Sequence, residues 1–219
     1  MTHENARNGI GKVFTAQVLE IVAAVCTLVA GIFTAVTIGA MASETIGGIV
    51  GGGVGAGVFG VAAAIISVIG LILTLVGLNK AGKDNEQIKT AFTLSIVALI
   101  IGIVGGIVSS IVGASYSWIS DIVSLIGAII GLVITYKVLM GCAELNSSLS
   151  DKANSTWKIY MIVVILDIVV AIVTVIMGIM GVTTVSAIAY IIVVIADFVF
   201  DIVAYIMYLS FLAKAKNEL

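Results

Sequence analysis

Residues 54–113 read VGAGVFGVAAAIISVIGLILTLVGLNKAGKDNEQIKTAFTLSIVALIIGIVGGIVSSIVG. Two apolar runs, 54–78 and 90–113, flank a short polar gap that contains three lysines. An α-helix rises about 1.5 Å per residue, so each run is long enough to cross the ~30 Å hydrocarbon layer of a bilayer. This stretch therefore predicts two membrane-spanning helices joined by a basic loop.

The same alternation of apolar runs and polar gaps extends along the whole chain. Hydrophobic residues make up 61% of the 219 residues and charged residues 10%, whereas soluble domains average roughly 45–50% and about 25%. The predicted spans are residues 14–41, 54–78, 90–113, 119–145, 157–181 and 186–212. We therefore expect an all-α integral membrane protein, a six-helix transmembrane bundle in which residues 1–219 form a single polytopic domain.

Basic residues are confined to one side of this predicted bundle. The ten Lys and Arg residues lie before the first span, in or beside alternate gaps, and after the last span: Arg7, Lys12, Lys80, Lys83, Lys89, Lys137, Lys152, Lys158, Lys214 and Lys216. Short loops rich in Lys and Arg are retained on the cytoplasmic side of a membrane. The distribution predicts a protein of the plasma (cytoplasmic) membrane with both termini in the cytoplasm, an N-in/C-in topology.

The segments in which the odd-numbered spans begin resemble one another. Each has a lysine followed within three residues by an aromatic residue: Lys12 and Phe14, Lys89 and Phe92, Lys158 and Tyr160. This pattern favours three tandem two-helix hairpins, whose parallel copies would be related by an axis along the membrane normal. The alternative is that a lysine beside an aromatic residue marks any helix anchored at a cytoplasmic interface.

The glycine-rich segment 46–57 allows two structures. It forms either an external loop with a short re-entrant segment, or a tilted helix whose small face lets a neighbouring helix approach closely. Gly47, Gly51 and Gly55 recur at every fourth position. Because residues four apart lie on one helix face, this spacing favours the helix.

Small residues also form stripes at helical spacing in the other predicted spans. The candidate packing residues are Gly51, Gly55, Gly102, Gly106, Gly127 and Gly131. Small side chains permit tight helix contact in a bilayer, where no water drives association. We expect these glycines to mediate packing in the bundle, and contacts with a second copy of the chain or with other membrane subunits.

Four of the acidic residues in the predicted spans lie away from the span ends. Asp167 lies ten residues from the start of its span, or ~15 Å, close to mid-membrane. Asp197 and Asp201 share one helix face, and Glu20 lies nearer the cytoplasmic side. A charged acid at the bilayer centre costs at least ~2.5–3.5 kcal/mol, so such acids usually face protein or water and are functional.

These acids give two hypotheses of function. In the first, the protein is a small transporter or channel-like subunit whose acids bind a proton or cation, with Tyr205 and Thr174 as supporting hydrogen-bond partners. In the second, it is a non-catalytic membrane scaffold or assembly partner, whose neutral acids bond to Tyr205, Thr174 or backbone carbonyls and only fix helix packing. The partners expected are the lipid bilayer and, in the first hypothesis, a small solute or cation.

Several kinds of chemistry have no support in the sequence. The single histidine, His3, lies in the N-terminal tail, and no HExxH, GxSxG or Walker-type run occurs. Arg7 is the only arginine, which argues against the processing of phosphorylated lipids. We therefore expect no enzyme activity, no cofactor and no metal site. The sparse basic loops predict no nucleic-acid binding.

Overall fold

The computed structural model describes residues 3–42, 46–112, 117–180 and 184–219. These residues form six long α-helices, and no strand occurs among them. The helices are α1 (Glu4–Ala42), α2 (Ile46–Ala81), α3 (Glu86–Val112), α4 (Ser117–Leu145), α5 (Ser150–Met180) and α6 (Thr184–Glu218). A single 3₁₀ turn, Ser147–Leu149, precedes α5. The all-helical prediction is confirmed for this part of the chain.

All six helices are long and apolar enough to cross a membrane. Their uncovered faces consist largely of Ile, Val and Leu; Leu28, for example, is 65% exposed, Ile65 56% and Ile103 56%. Such a surface suits lipid and would be unstable in water. On the basic side, four helices (α1, α3, α5 and α6) extend about one to three turns beyond the predicted spans, because polar segments such as the one from Glu4 to Lys12 remain helical. α2 extends by three residues, and α4 ends at Leu145 as predicted.

The glycine-rich segment is helical. It forms the first third of α2, which is continuous from Ile46 to Ala81, so the helical interpretation is confirmed and the loop interpretation is wrong. A Cβ added at Gly52 would lie 2.8 Å from the Phe33 carbonyl oxygen, and one added at Gly55 would lie 2.6 Å from the Phe33 ring. Glycine is therefore what allows α2 to pack so closely against α1.

The helices pack in chain order around a ring. The most extensive contacts pair α1 with α2, α3 with α4, and α5 with α6. Narrower contacts join α2 to α3, α4 to α5, and α6 back to α1. Each helix therefore has two neighbours, and the last helix closes the ring against the first.

The buried core lies at one end of this ring, the end that carries both termini. We call it the basic end, because the lysines flank it. Residues from all six helices and the 3₁₀ turn form the core, among them Ile10, Val13, Leu78, Ala81, Ile88, Ala91, Val138, Leu139, Cys142, Leu149, Ala153, Tyr208, Phe211 and Leu212. Within the described residues, the ring is therefore plugged by apolar side chains at its basic end.

Polar contacts reinforce the basic end, and the first involves Asp84. Its carboxylate accepts hydrogen bonds from Asn5 Nδ2 (2.9 Å) and from the backbone N–H of Ala6 (2.8 Å). Asp84 thereby satisfies one of the N–H groups that the first turn of α1 leaves unpaired. Burial pushes the pKa of Asp84 upward, but hydrogen bonds from Asn5 and Ala6 outweigh it and lower the pKa below its ordinary value.

The second and third helix pairs carry comparable contacts. Glu144 at the end of α4 accepts hydrogen bonds from Asn85 Nδ2 (2.9 Å) and Gln87 Nε2 (3.1 Å), which lie at the start of α3. Ser148 Oγ, at the start of the third pair, donates to Glu218 Oε2 at the end of α6 (2.7 Å). We call Asp84, Glu144 and Glu218 the three inner acids. Each lies at the end of a helix pair and accepts hydrogen bonds from the start of the same pair.

Candidate intramembrane carboxylate site

The α5–α6 pair brings together the three aspartates that the sequence singles out. Asp167 lies on α5, and Asp197 and Asp201 lie one turn apart on α6. Asp167 interacts electrostatically with both of the others, and Asp201 interacts with Asp197. Because the two helices pack side by side, residues 30 and 34 positions apart in the chain become neighbours within the membrane.

The three carboxylates differ in how much protein covers them. Asp197 is half-buried, and its Oδ1 is buried without a hydrogen-bond partner among the described residues. Asp167 and Asp201 are exposed. The ion pairs that the described residues form are Lys89–Glu86 and Lys214–Glu218, and neither involves these aspartates.

Asp201 lines a groove between α1, α5 and α6. The groove has a volume of about 610 Å³, and apolar residues such as Ile21 and Phe198 form most of its wall. Tyr160 and Tyr205 also line it. The carboxylate of Asp201 therefore lies in a mainly apolar, partly aromatic recess rather than in a polar channel.

Tyr205 connects this groove to Glu20. A smaller groove of about 350 Å³ is lined by Glu20, Tyr205 and two residues of α1. The Tyr205 hydroxyl donates a hydrogen bond to the carbonyl oxygen of Gln17 (2.5 Å), so its proton is directed to the α1 backbone and not to an aspartate. Glu20 is exposed, and its Oε1 lies 3.5 Å from the position of a Cβ added at Gly70.

The other predicted supporting residue, Thr174, belongs to α5, but its side chain lies outside the described part of the chain. Its role stays a prediction. Tyr160 is not among the predicted site residues, although its spacing of seven residues, about two helical turns, from Asp167 predicts that both lie on one face of α5. Tyr160 packs edge-on against the buried Tyr208, with ring centroids 6.1 Å apart. It therefore links the groove to the core at the basic end.

The predicted packing glycines fall into two groups. Gly55 lies against Phe33 of α1. At the others, an added Cβ would meet no atom of the described residues within 4 Å: Gly51, Gly102, Gly106, Gly127 and Gly131. Neighbouring glycines make the tight contacts instead, for example Gly105, where an added Cβ would collide with Val123 of α4. A packing role for the five open glycines requires a molecule outside the chain, and it stays a prediction.

The arrangement defines what the three aspartates can do chemically. Like charges repel strongly where the dielectric constant is low, and a bound proton or cation removes that repulsion. Among the described residues, no group of His, Cys, Asp or Glu side chains is arranged to hold a metal ion. The carboxylates are thus near enough to influence one another but are not gathered into a ligand shell.

Comparison with known proteins gives no further guide to this site. No family model matches the chain, and no curated protein or solved structure is significantly similar to it.

Proposed function

We propose that the protein is a small transporter or channel-like subunit that binds a proton or a cation at Asp167, Asp197 and Asp201. The observation that carries the proposal is the electrostatic interaction among these three carboxylates, with Asp201 open to a groove. Three negative charges within an apolar span are unstable unless something neutralises them. The ion pairs of the described residues, Lys89–Glu86 and Lys214–Glu218, supply no basic side chain for this.

The arrangement of the bundle supports access to the site from the groove. Tyr208 and Phe211 belong to the apolar core that plugs the basic end just below the site. A bound ion therefore reaches the aspartates along α5 and α6 from the side away from that core. Release to the basic end requires the packing around Tyr208 to open, which makes this aromatic layer the gate of the proposed mechanism.

The proposed orientation places the basic end in the cytoplasm, with the protein in the plasma membrane and both termini inside. Lysines at this end support it, because cytoplasmic loops attract and retain basic residues. Lys152, for example, donates to the carbonyl and hydroxyl oxygens of Ser210 (2.9 and 2.7 Å) at this end. The three helix pairs, each joined by an inner acid, also support the proposed hairpin repeat.

A second candidate function is a membrane scaffold or assembly partner. The five open glycines favour it, because faces such as those around Gly102 and Gly106 allow another helix to approach closely. In this alternative, the partner is a second copy or another membrane subunit. The aspartates then contribute only to helix packing, and no proton or cation is transported.

Carbodiimide labelling of the purified protein, read by mass spectrometry across pH, tests the proposed site. Carbodiimides react with protonated carboxyls in apolar surroundings. We expect labelling of Asp201 and Asp167 that persists near neutral pH and that Na⁺ or another bound cation blocks. Asp151 is the control, because it lies exposed at the start of α5, outside apolar surroundings, and should stay unlabelled.

The same experiment separates the two functions. One outcome would contradict the proton or cation site. In it, the three aspartates are as unreactive as Asp151 at every pH, and a smaller carbodiimide also fails to label them. The scaffold would then be the better explanation. Labelling that no cation blocks and that follows pH alone would identify a proton site.

A further inference from the structure

A third groove lies on the surface of the bundle, where the end of α2 meets the start of α3. Its volume is about 480 Å³, and its lining includes Asn79, Lys83, Glu86, Lys89 and Thr93. These side chains make the lining of this groove largely polar, whereas the lining of the groove at Asp201 is mostly apolar. This groove plays no part in the proposed transport site.

Close packing creates the groove. Gly82 is buried against Lys89, where an added Cβ would lie 2.8 Å from the Lys89 Cα. The missing side chain lets the two helix ends come together. As a result, Lys83 on one side and Lys89 on the other border the same recess.

The groove lies at the level where the apolar spans end. The span in α2 ends at Ala81 and the span in α3 begins at Glu86. The adjoining helix surface is aliphatic and uncovered, with Ile72 54% exposed on α2 and Ile100 55% exposed on α3. A molecule that fits both parts has an anionic head and an apolar tail.

The two lysines of the groove favour an anion, whereas the Glu86 carboxylate disfavours one. The Lys83 and Lys89 side chains are both exposed, and Glu86 pairs with Lys89 at 3.5 Å. The Glu86 side chain is 82% exposed, so solvent weakens this pair and an anion can replace it. Basic recesses between transmembrane helices are suited to phospholipid headgroups.

We propose that this groove binds the headgroup phosphate of an anionic phospholipid in the leaflet at the basic end. Lys83 and Lys89 hold the phosphate, and the Asn79 amide offers a hydrogen bond to the headgroup. The Thr93 hydroxyl donates to the Lys89 carbonyl oxygen (3.2 Å), so it offers the headgroup an acceptor. The acyl chains lie along the aliphatic faces of α2 and α3. The inference is independent of the transport hypothesis, because a scaffold would carry the same groove.

Native mass spectrometry of the full chain in a neutral detergent tests this. The protein is titrated with dioleoylphosphatidylglycerol and, separately, with the zwitterionic dioleoylphosphatidylcholine. We expect preferential retention of the phosphatidylglycerol. Each lysine contributes about fivefold in affinity, so the double variant Lys83→Gln/Lys89→Gln should bind it roughly 25-fold more weakly.

Two further variants sharpen the result. Lys158→Gln removes an exposed lysine at the start of α5, away from the groove, and should leave the affinity within about twofold of the wild type. Glu86→Gln removes the competing carboxylate and should raise the affinity. This gain cannot arise from misfolding.

Three outcomes would overturn the proposal. They are equal retention of the two lipids, equal losses in the double variant and in Lys158→Gln, and no gain in Glu86→Gln. Millimolar inorganic phosphate is the remaining probe. If it displaces the lipid completely, the groove is a site for free phosphate and not for a lipid.

Discussion

Asp201 is the single residue whose replacement best separates the functional hypotheses. We expect Asp201→Asn to reduce ion flux in proteoliposomes to the level of protein-free liposomes, because an amide neither carries the charge nor releases a proton. The folded protein should be as heat-stable as the wild type or more so, since one like charge has been removed. Dye-based flux assays and thermal unfolding in detergent measure the two effects.

Asp151→Asn is the matched control, because it removes a carboxylate at the exposed start of α5. It should retain full flux. Two results together would favour the scaffold. The wild-type protein would show no flux of protons or Na⁺, and Asp201→Asn would only lower the stability.

Asp84 provides a prediction about pH. Its pKa is lowered in the folded protein, so ionised Asp84 stabilises the fold at any pH above its unfolded value of about 3.9. That contribution is lost as the pH falls through the lower folded value. The melting temperature of Asp84→Asn should therefore lie below that of the wild type at pH 6, and the difference should shrink as the pH falls below about 4.

The matched control for Asp84 is Glu4→Gln, a change in an exposed acid of the first turn of α1. It tests whether any nearby carboxylate has the same effect. A melting-temperature difference for Asp84→Asn that is constant from pH 6 to pH 3 would contradict the role of its ionisation.

Adjacent glycines in α2 give a matched pair at the level of the helix. Gly52 contacts Phe33 and Thr37 of α1, whereas a Cβ at Gly51 would meet nothing within 4 Å. Gly52→Leu should therefore lower the free energy of unfolding by about 1–3 kcal/mol, the usual cost of overpacking. Gly51→Leu should leave the unfolding of the isolated chain unchanged. Denaturant titration in detergent compares the two variants.

The same glycines show what the sequence could predict about packing. The spacing of Gly51 and Gly55 predicts a helical small face, and the segment is helical. The sequence does not show which of these glycines contacts α1. Almost all the remaining residues of α2 are apolar, so no polar face indicates which side of the helix points away from α1. Gly52 and Gly55, rather than Gly51 and Gly55, contact α1. A shift of one residue, about 100° around the helix, decides the contact.

The candidate site shows a similar limit. The sequence identifies three aspartates as candidates, Asp167, Asp197 and Asp201, because acids are rare in apolar spans. Antiparallel packing of neighbouring helices accounts for their proximity. The hydrogen bond from Tyr205 to Gln17 was not predictable, because it joins residues 188 positions apart. It depends on the ring closing between α6 and α1, and no local pattern in the sequence specifies that closure.

The orientation of the whole molecule is testable with engineered cysteines. In a background that lacks Cys26 and Cys142, a membrane-impermeant maleimide is added to intact cells that express His3→Cys or Ser43→Cys. The basic residues predict that Ser43→Cys, in the first external gap, is labelled. His3→Cys should react only after the membrane is permeabilised. The reverse pattern would contradict the N-in/C-in topology.

The proposed assembly with another subunit can be tested at the open glycines. If Gly102 and Gly106 pack against another subunit, Gly102→Leu or Gly106→Leu should reduce the oligomer seen by chemical crosslinking in membranes while the chain itself unfolds normally. Gly105→Leu is the contrasting variant, since Gly105 lies against Val123 of the same chain. It should destabilise the chain. Unchanged crosslinking in both open-glycine variants would exclude these faces as an interface.

The three inner acids have a consequence for how the chain is made. Each binds the start of its own helix pair, so its hydrogen bonds need no later part of the polypeptide. Asp84 can reach Asn5 as soon as α1, α2 and the loop that follows them have been synthesised and inserted. The contacts within the pairs join residues 59 to 79 positions apart, whereas the Tyr205–Gln17 hydrogen bond that closes the ring joins residues 188 apart, so the pairs close shorter loops of chain at a lower entropic cost. During synthesis the membrane would therefore receive three helix pairs that are already closed at one end, and closing the ring between α6 and α1 would be the last step.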